Sequence, residues 1–398
     1  MGGCRGLEGQ RVAGSIDAIS LTRSTVDTSA PPPAGSVPVL TSEQVRRLRA
    51  ALLGRLVALC FGAGVDSTAL LVALHEAGLR PHVITFADTG GEKPETLLHL
   101  DRVNALLRRW GWPLVQTCRK LTMASTGYAD LYGNCWANET LPSLAFGLKS
   151  CSIKWKTDCQ DQYLKGVTRG PAARPPHALW LEAQAKGERI VKLIGYDCGK
   201  ADMRRSKVPR EADADFDYLY PLQLIGWDRA DCVRVIAQVL GADMVPIKSA
   251  CFYCPASKAW ELWWLAAHHP DLLERALRLE YRALTGRHSR FDEVEFGASW
   301  EALVRTADRF PSTSTTVGLG RSFAWNQWAR VNGVVDDQFQ VRRDAHSRAR
   351  FIAVAESMRD GGGNALDACG RVIPIRVVAA PATGLQDQPV QAVDLFAD

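Results

Sequence analysis

Residues 61–68 combine small side chains, one carboxylate and two hydroxyls in the order expected of a phosphate-binding loop. They follow an apolar run at residues 56–61 and precede a helical pattern at residues 67–76. Small residues let backbone N–H groups approach an oxyanion, and the N-terminus of the following helix adds partial positive charge. A tight strand-to-helix turn without a ligand would use similar residues, but the position after a strand favours phosphate binding. The predicted contacts are Gly62, Ala63, Gly64, Val65, Asp66, Ser67 and Thr68.

A second polar turn follows the next apolar run, at residues 82–87. Asp88, Thr89 and Gly90 come directly after that run, and Pro94 is suited to the first position of a helix. The carboxyl ends of parallel strands form the usual ligand-binding edge of an α/β sheet, so Asp88 can meet a ribose, an amine or a metal ion there. We therefore add Asp88, Thr89 and Gly90 to the predicted nucleotide site.

Cys251 and Cys254 are separated by two residues and followed by Pro255. This spacing lets both sulfurs face one metal ion, and the proline fixes the turn. Two sulfurs do not complete a tetrahedral site, so further ligands must come from elsewhere in the chain. The chain has 11 cysteines, an odd number that fits a disulfide framework poorly. The pattern leaves open a metal site, a redox-active dithiol and reduced thiols packed in a core.

Short apolar runs alternate with longer segments of helical periodicity. Strands are predicted at residues 56–61, 82–87, 113–117 and 189–195, and helices at residues 41–53, 67–76, 95–110, 228–240 and 260–284. Strands that alternate with helices pair in parallel, which predicts an α/β fold. Residues 1–40 have the composition of a flexible leader, residues 41–271 form the predicted nucleotide-binding domain, and residues 272–398 form a predicted helical C-terminal extension.

Composition excludes several classes of protein. The 398 residues include 46% hydrophobic and 23% charged residues, which is enough for a full core and excludes wholesale disorder. The formal net charge is +5, too small to make charge-driven nucleic-acid binding the default. No apolar run approaches the roughly 18 residues of a membrane-spanning helix, and the N-terminus lacks a signal-peptide pattern. We therefore expect a cytoplasmic protein without membrane association.

Two of these motifs resemble one superfamily. Residues 62–67 are similar to the pyrophosphate loop Ser-Gly-Gly-x-Asp-Ser of the adenine nucleotide alpha-hydrolases, with Gly62 in place of the serine and Ala63 in place of the first glycine. Residues 88–96 resemble the Asp-Thr-Gly-x-x-x-Pro-Glu-Thr motif of the phosphoadenylyl-sulfate (PAPS) reductase branch. The resemblance covers roughly residues 50–285. It implies a five-stranded parallel sheet with helices on both faces and an ATP site that uses Mg²⁺.

A third segment, residues 194–205, is similar to the part of these proteins in which two arginines grip an anionic substrate. Arg205 matches the second arginine, whereas Asp197 stands where the first would be. An anion is a poor ligand for sulfate or phosphate, so this difference argues against a sulfonucleotide substrate. The resemblance implies catalytic roles for Asp66, Ser67 and Arg205.

Cys151 lies in a segment that resembles the tandem-cysteine motif of cluster-containing sulfonucleotide reductases, with Ser150 in place of the first cysteine. The resemblance implies that Cys151, Cys251 and Cys254 bind a [4Fe-4S] cluster. Three ligands leave one iron open, and Cys159 or Cys135 is a candidate fourth ligand. A Zn²⁺ site and free thiols are the alternatives.

These features together predict an enzyme that binds an adenine nucleotide, performs chemistry at the α-phosphate of ATP and couples it to sulfur transfer. DNA phosphorothioation sulfurtransferases are attractive relatives, which makes nucleic acid a candidate acceptor. A strict PAPS or adenylyl-sulfate reductase is one alternative. A nucleotide- or redox-sensing module in a mobile-element or defence complex, without turnover of its own, is the other. For each of these functions, a homo-oligomer or a complex with a partner protein is a candidate assembly.

Overall fold

A computed structural model describes residues 38–207, 215–285, 318–320, 323–336, 340–357, 365–366 and 372–373. Nearly all of the predicted leader at residues 1–40 lies outside these ranges, as does much of the predicted C-terminal extension. Leu40, at the end of the predicted leader, is buried in the core. The description below concerns the stated ranges.

Five parallel strands form one sheet in the order β3-β2-β1-β4-β5. Their bounds are β1 Val57–Cys60, β2 Val83–Asp88, β3 Val115–Arg119, β4 Ile190–Ile194 and β5 Phe216–Leu219. The central strand β1 pairs with both β2 and β4, with Leu59 opposite Ile84 on one side and Leu193 on the other. The predicted α/β fold with a parallel sheet is therefore confirmed.

Four long helices cover one face of the sheet: α1 Ser42–Leu52, α2 Val65–Glu76, α3 Pro94–Trp110 and α10 Arg229–Leu240. Their apolar side chains share a core with alternate residues of the strands, such as Leu59 and Leu193. Thr41 begins α1 with the predicted cap, since its hydroxyl accepts a hydrogen bond from the Gln44 N–H at 3.2 Å. Helix α2 lies directly behind the predicted phosphate loop.

Helices α6 Asp158–Lys165 and α7 Ala178–Lys186 cover the opposite face, where Leu164 and Ala183 pack on strand residues that point away from the first core. Lys192 of β4 is buried on this face and forms an ion pair with Asp161 of α6. A charge inside a sheet must be paired to be tolerated, and Asp161 supplies the partner. Helices on both faces of the sheet confirm the predicted layered arrangement.

Shorter helices connect these layers. They are α4 Leu131–Ala137, α5 Ser150–Ser152, α8 Lys200–Ser206 and α9 Pro221–Leu224. A π-helical turn, Ile153–Thr157, joins α5 to α6. π-helical turns are rare and occur often at functional sites, and this one follows Cys151 directly.

A second apolar core lies beyond the sheet, around α11 Ala259–His268 and α12 Pro270–Thr285. Helices α13 Trp325–Val331 and α14 Ala345–Ser357 pack into the same core, which confirms a helical C-terminal region. The core also takes in Trp155 of the π-helical turn and Cys251. An antiparallel pair of two-residue strands, β6 Ala365–Leu366 and β7 Val372–Ile373, follows.

Candidate functional site

The strand order reverses at β1 and β4, which lie side by side although a long stretch of chain separates them. Ligands of open α/β sheets bind at such switch points, outside the carboxyl ends of the strands. The loop after β1 begins the predicted phosphate loop, and the loop after β4 begins at Gly195. A Cβ atom on Gly195 would lie 2.9 Å from the Ser67 nitrogen, so this close approach requires glycine. The two loops therefore form one site.

The phosphate loop turns sharply into α2. Ala63 adopts a left-handed backbone with φ of 53° at the position where the related motif has glycine, a conformation that costs L-residues about 1 kcal/mol. Strained backbone of this kind is common at ligand-binding loops. Gly64 is the N-cap of α2, and Thr68 Oγ1 donates to its carbonyl oxygen at 2.9 Å. Ser67 Oγ accepts from the Gly64 N–H at 3.2 Å, so both predicted hydroxyls shape the loop.

His99 supports this loop from behind. Its Nε2 lies 2.9 Å from Thr68 Oγ1, and its ring stacks on Phe61 with 6.4 Å between ring centroids. Because the Thr68 hydroxyl donates to Gly64, the histidine must donate to the hydroxyl in turn. Burial, together with a smaller effect of Arg102, lowers the pKa of His99 to about 4, so the ring is neutral at pH 7. His99 was not predicted from the sequence, although its position on the apolar face of α3 indicated that it would be buried.

Three carboxylates converge on the N-terminus of α2. One oxygen from each of Asp66, Asp197 and Asp202 lies within 4.8 Å of the others. Burial raises the pKa of Asp66 to about 7, since its attraction to Arg229 offsets only part of the desolvation cost. Among the described residues, Asp66 Oδ1 is buried without a hydrogen-bond partner. A convergent set of hard oxygen donors with an unused acceptor fits Mg²⁺.

Two arginines accompany the carboxylates. Arg229, the first residue of α10, donates from Nη2 to Asp66 Oδ2 at 2.6 Å and from Nε to Asp197 Oδ2 at 3.3 Å. Arg205, predicted from the motif, donates to Asp202 at 2.7 Å and is half exposed. Neither Arg229 nor Asp202 was predicted from the sequence. Asp197, which stands where the related motif has a cation, is thus one of the two carboxylates that hold Arg229 at the site.

The turn after β2 faces the cysteines. Asp88 accepts from the Gly90 N–H at 2.7 Å and from Arg119 at 2.6 Å, so both of its oxygens are engaged. Thr89 Oγ1 lies 2.8 Å from Glu92 Oε1 and 3.0 Å from Cys251 Sγ. The Gly91 carbonyl accepts from the Phe252 N–H at 2.8 Å. The predicted nucleotide turn and the predicted metal segment are therefore in direct contact.

Three of the predicted metal ligands influence the pKa of one lysine. Burial lowers the pKa of Lys156, but its attraction to Glu92 and to the ionised forms of Cys251, Cys254 and Cys151 outweighs burial, so the pKa is raised overall. Burial raises the pKa of Cys251, and Glu92 adds to this effect, so this thiol stays protonated at pH 7 without a metal. Lys156, in the π-helical turn, is the cation that would stabilise thiolates formed here by metal binding.

The fourth ligand has two candidates with different surroundings. Cys135 lies near Cys151, which adds to the effect of burial in raising the pKa of Cys135 to about 12. The thiol of Cys159 points toward the sheet, donates to the Lys156 carbonyl at 3.1 Å and packs beside Cys118. Cys135 and Cys151 thus belong to the same apolar core, whereas Cys159 packs in a separate cluster with Cys118.

The spacing of these thiols bears on the type of metal. A single tetrahedral Zn²⁺ holds its sulfurs about 3.8 Å apart, given Zn–S bonds of about 2.3 Å. Among the described residues, the three aspartates are the only group of three or more His, Cys, Asp or Glu ligands within 4.8 Å of one another. The cysteines do not form such a group among the described residues.

A buried charge cluster fixes the Cys251–Cys254 segment. Glu261, fully buried in α11, accepts from Lys93 Nζ at 3.2 Å, Lys248 Nζ at 3.0 Å and the Lys258 N–H at 2.8 Å. Burial raises the pKa of Glu261, but Lys93 and Lys248 outweigh it and lower the pKa overall. These contacts join the start of α3 to both ends of the cysteine segment, so they position it against the nucleotide turn.

A cavity of about 230 Å³ lies at the opposite, amino-terminal edge of the sheet, lined by Leu56, Arg80 and His82 among others. It includes none of the predicted site residues. Within the described part of the chain, no helix is long and apolar enough to cross a membrane. No protein-family model and no curated protein matches the chain.

Proposed function

We propose that this protein is an adenine-nucleotide-binding enzyme that acts at the α-phosphate of ATP. The observation that carries the proposal is the meeting of the phosphate loop with three convergent carboxylates at the switch point of the sheet. Phosphates bind well at a helix N-terminus because its first N–H groups lack partners within the helix. The motif order, which resembles that of PP-loop ATP pyrophosphatases and PAPS reductases, supports the same proposal.

Each group of residues in the site would have a separate role in binding ATP and Mg²⁺. The loop from Gly62 to Thr68 holds the phosphates, and α2 directs its positive end at them. Asp66, Asp197 and Asp202 would hold Mg²⁺, which when bound neutralises charge on the phosphates. Arg205, half exposed beside Asp202, can reach an anionic group of the substrate. This arrangement stabilises negative charge on a leaving pyrophosphate.

We further propose that the cysteines couple this chemistry to sulfur transfer. The contact between Thr89 and Cys251 places a thiol next to the nucleotide turn. Cys151, Cys251 and Cys254 would bind a [4Fe-4S] cluster. With these three ligands alone, one iron would stay open to hold sulfur for delivery, whereas Cys135 or Cys159 as a fourth ligand would close that iron. Nucleic acid is the first acceptor to test, and adenylation of that acceptor would prepare it for attack by sulfur.

Pyrophosphate release from ATP and Mg²⁺, in the presence of candidate nucleic-acid acceptors, tests the nucleotide part. Asp66→Asn should abolish the release, because it removes a charged metal ligand from the site. Asp101→Asn, on the exposed side of α3, is the matched control and should leave it unchanged. Release that is equal in all three proteins would refute the proposed site, and binding without release would favour a sensing module.

Iron, zinc and acid-labile sulfide content after anaerobic purification tests the sulfur part. We expect about four irons and four sulfides per chain, lost in Cys254→Ala and retained in Cys198→Ala. Cys198 is a suitable control because it is half-buried and lies in the loop after β4. Bound zinc, or no metal in the wild type, would contradict the cluster and leave the thiols structural.

A further inference from the structure

Arg229 lies in the position that a divalent cation would need. Its guanidinium bridges two of the three converging carboxylates, 2.6 Å from Asp66 Oδ2 and 3.3 Å from Asp197 Oδ2. The side chain is 29% exposed, so it has a path toward solvent. Arginine keeps its charge at all relevant pH values, so its repulsion of a metal ion cannot be relieved by deprotonation.

Arg229 does not satisfy the whole carboxylate group. Its guanidinium contacts Asp66 Oδ2 and Asp197 Oδ2, whereas Asp66 Oδ1 is buried without a hydrogen-bond partner among the described residues. A divalent ion could use this free acceptor, but it would also use the carboxylates that Arg229 now bridges.

We propose that Arg229 is a displaceable counter-ion that couples metal binding to nucleotide binding. This inference rests on the proposed function and deepens it. Without ligand, Arg229 neutralises Asp66 and Asp197. When the divalent ion takes those carboxylates, the guanidinium moves to the nucleotide phosphates on the adjoining loop. Asp66 is the second residue of α2, so the phosphate loop is within reach of the same side chain.

This role also accounts for Asp197. The related motif places an arginine at this position, where the present chain has an acid. Here the guanidinium comes instead from the start of α10, and Asp197 holds it in place. Arg229 of α10 would thus supply the cation that the related motif supplies at the position of Asp197. Whether Arg229 is available to the phosphates would then depend on whether a metal ion occupies the carboxylates.

Binding of Mn²⁺ alone, followed by the electron paramagnetic resonance signal of the free ion, tests the proposal. We expect Arg229→Gln to bind Mn²⁺ at least about tenfold more tightly than the wild type without nucleotide, because the competing cation is absent. In the wild type, saturating α,β-methylene-ATP should tighten Mn²⁺ binding by the protein about tenfold, after the Mn²⁺ that the nucleotide itself chelates is subtracted with a protein-free titration. In Arg229→Gln this tightening should be lost, and the nucleotide itself should bind more weakly.

The proposal predicts that Arg229→Gln binds Mn²⁺ more tightly than the wild type but binds the nucleotide more weakly. If Arg229→Gln weakened both ligands, or bound Mn²⁺ no more tightly than the wild type, the counter-ion role would be refuted. Arg229→Lys keeps the positive charge but bridges the two carboxylates poorly, so its affinity for Mn²⁺ should lie between those of the wild type and Arg229→Gln. This intermediate affinity would show that the effect of Arg229→Gln does not come from misfolding. Failure of the proposed function would look different, because neither Mn²⁺ nor the nucleotide would bind to any of these proteins.

Discussion

His99 should make the stability of this protein depend on pH in a defined window. Burial lowers its pKa from 6.5 in the unfolded chain to about 4 in the folded protein. Between these values the unfolded state binds the proton and the folded state does not, so the free energy of unfolding rises with pH. The contribution is fully present above pH 6.5 and is lost progressively as the pH falls toward 4.

The size of the contribution of His99 to the free energy of unfolding follows from these two pKa values. At 1.36 kcal/mol per pH unit, the whole window corresponds to about 3 kcal/mol. Acidification from pH 6.5 to pH 5 should remove about 2 kcal/mol of it. This is a large share of the stability of an ordinary domain, so it is measurable.

Urea unfolding followed by tryptophan fluorescence at pH 6.5 and pH 5 provides the assay. His99→Gln removes the titrating ring, so the variant should lose about 2 kcal/mol less than the wild type over this interval. Other titrating groups are common to both proteins and cancel in the comparison. Thr68→Val is the matched control, because it removes the hydrogen bond but leaves the ring buried, and it should keep the wild-type pH dependence. Equal losses in the wild type and His99→Gln would refute the account of His99.

Three further changes test the supports of the site. Glu261→Gln should lower the free energy of unfolding in urea by about 3–5 kcal/mol, because it leaves Lys93 buried without a counter-charge. Lys93→Met should lower it by only about 1 kcal/mol, because Glu261 keeps its ion pair with Lys248. Equal losses in the two variants would contradict this account of the charge cluster. Gly195→Ala should lower the free energy of unfolding by about 2 kcal/mol, because the new methyl group meets the backbone of α2. The same clash should weaken nucleotide binding measured by calorimetry, and unchanged binding would contradict the close approach of the two loops. Glu280→Gln should destabilise the attachment of α13 by about 2–3 kcal/mol, since the buried carboxylate accepts hydrogen bonds from Leu319, Trp325 and Asn326. Hydrogen exchange should then accelerate at residues 325–331, and unaltered exchange there would show that the carboxylate does not hold the helix.

Most of the regular structure could be predicted because its signals are local. The run at residues 82–87 appears as β2 within one residue at either end, and the periodic segment at residues 95–110 appears as α3. Strand β5 was not located from the sequence, although the resemblance required a fifth strand. It has four residues, and only Phe216 among them is buried, so it carries little apolar pattern. The order of the strands could not be read from periodicity, because parallel pairing depends on long-range contacts.

The same distinction applies to the site. The turn from β1 into α2 and its N-cap are set by consecutive residues, so their types and spacing were sufficient to predict its shape, and phosphate binding there stays a prediction. Arg229 meets Asp66 across 163 positions, and Cys251 meets Thr89 across 162 positions, so no local pattern marks either contact. The unexpected residue Asp197 was visible in the sequence, but its role required the position of Arg229. Iron binding, the acceptor and sulfur transfer stay predictions.

Calorimetric binding of α,β-methylene-ATP with Mg²⁺ tests the central claim most directly, because it needs no knowledge of the acceptor. The account predicts saturable binding of one nucleotide per chain, dependent on Mg²⁺ and weakened at least about tenfold by Asp66→Asn, which corresponds to about 1.4 kcal/mol. Arg80→Ala, beside the cavity at the opposite edge of the sheet, should leave the affinity unchanged. Binding that survived Asp66→Asn, or that was lost in Arg80→Ala, would place the nucleotide elsewhere and contradict the site at β1 and β4.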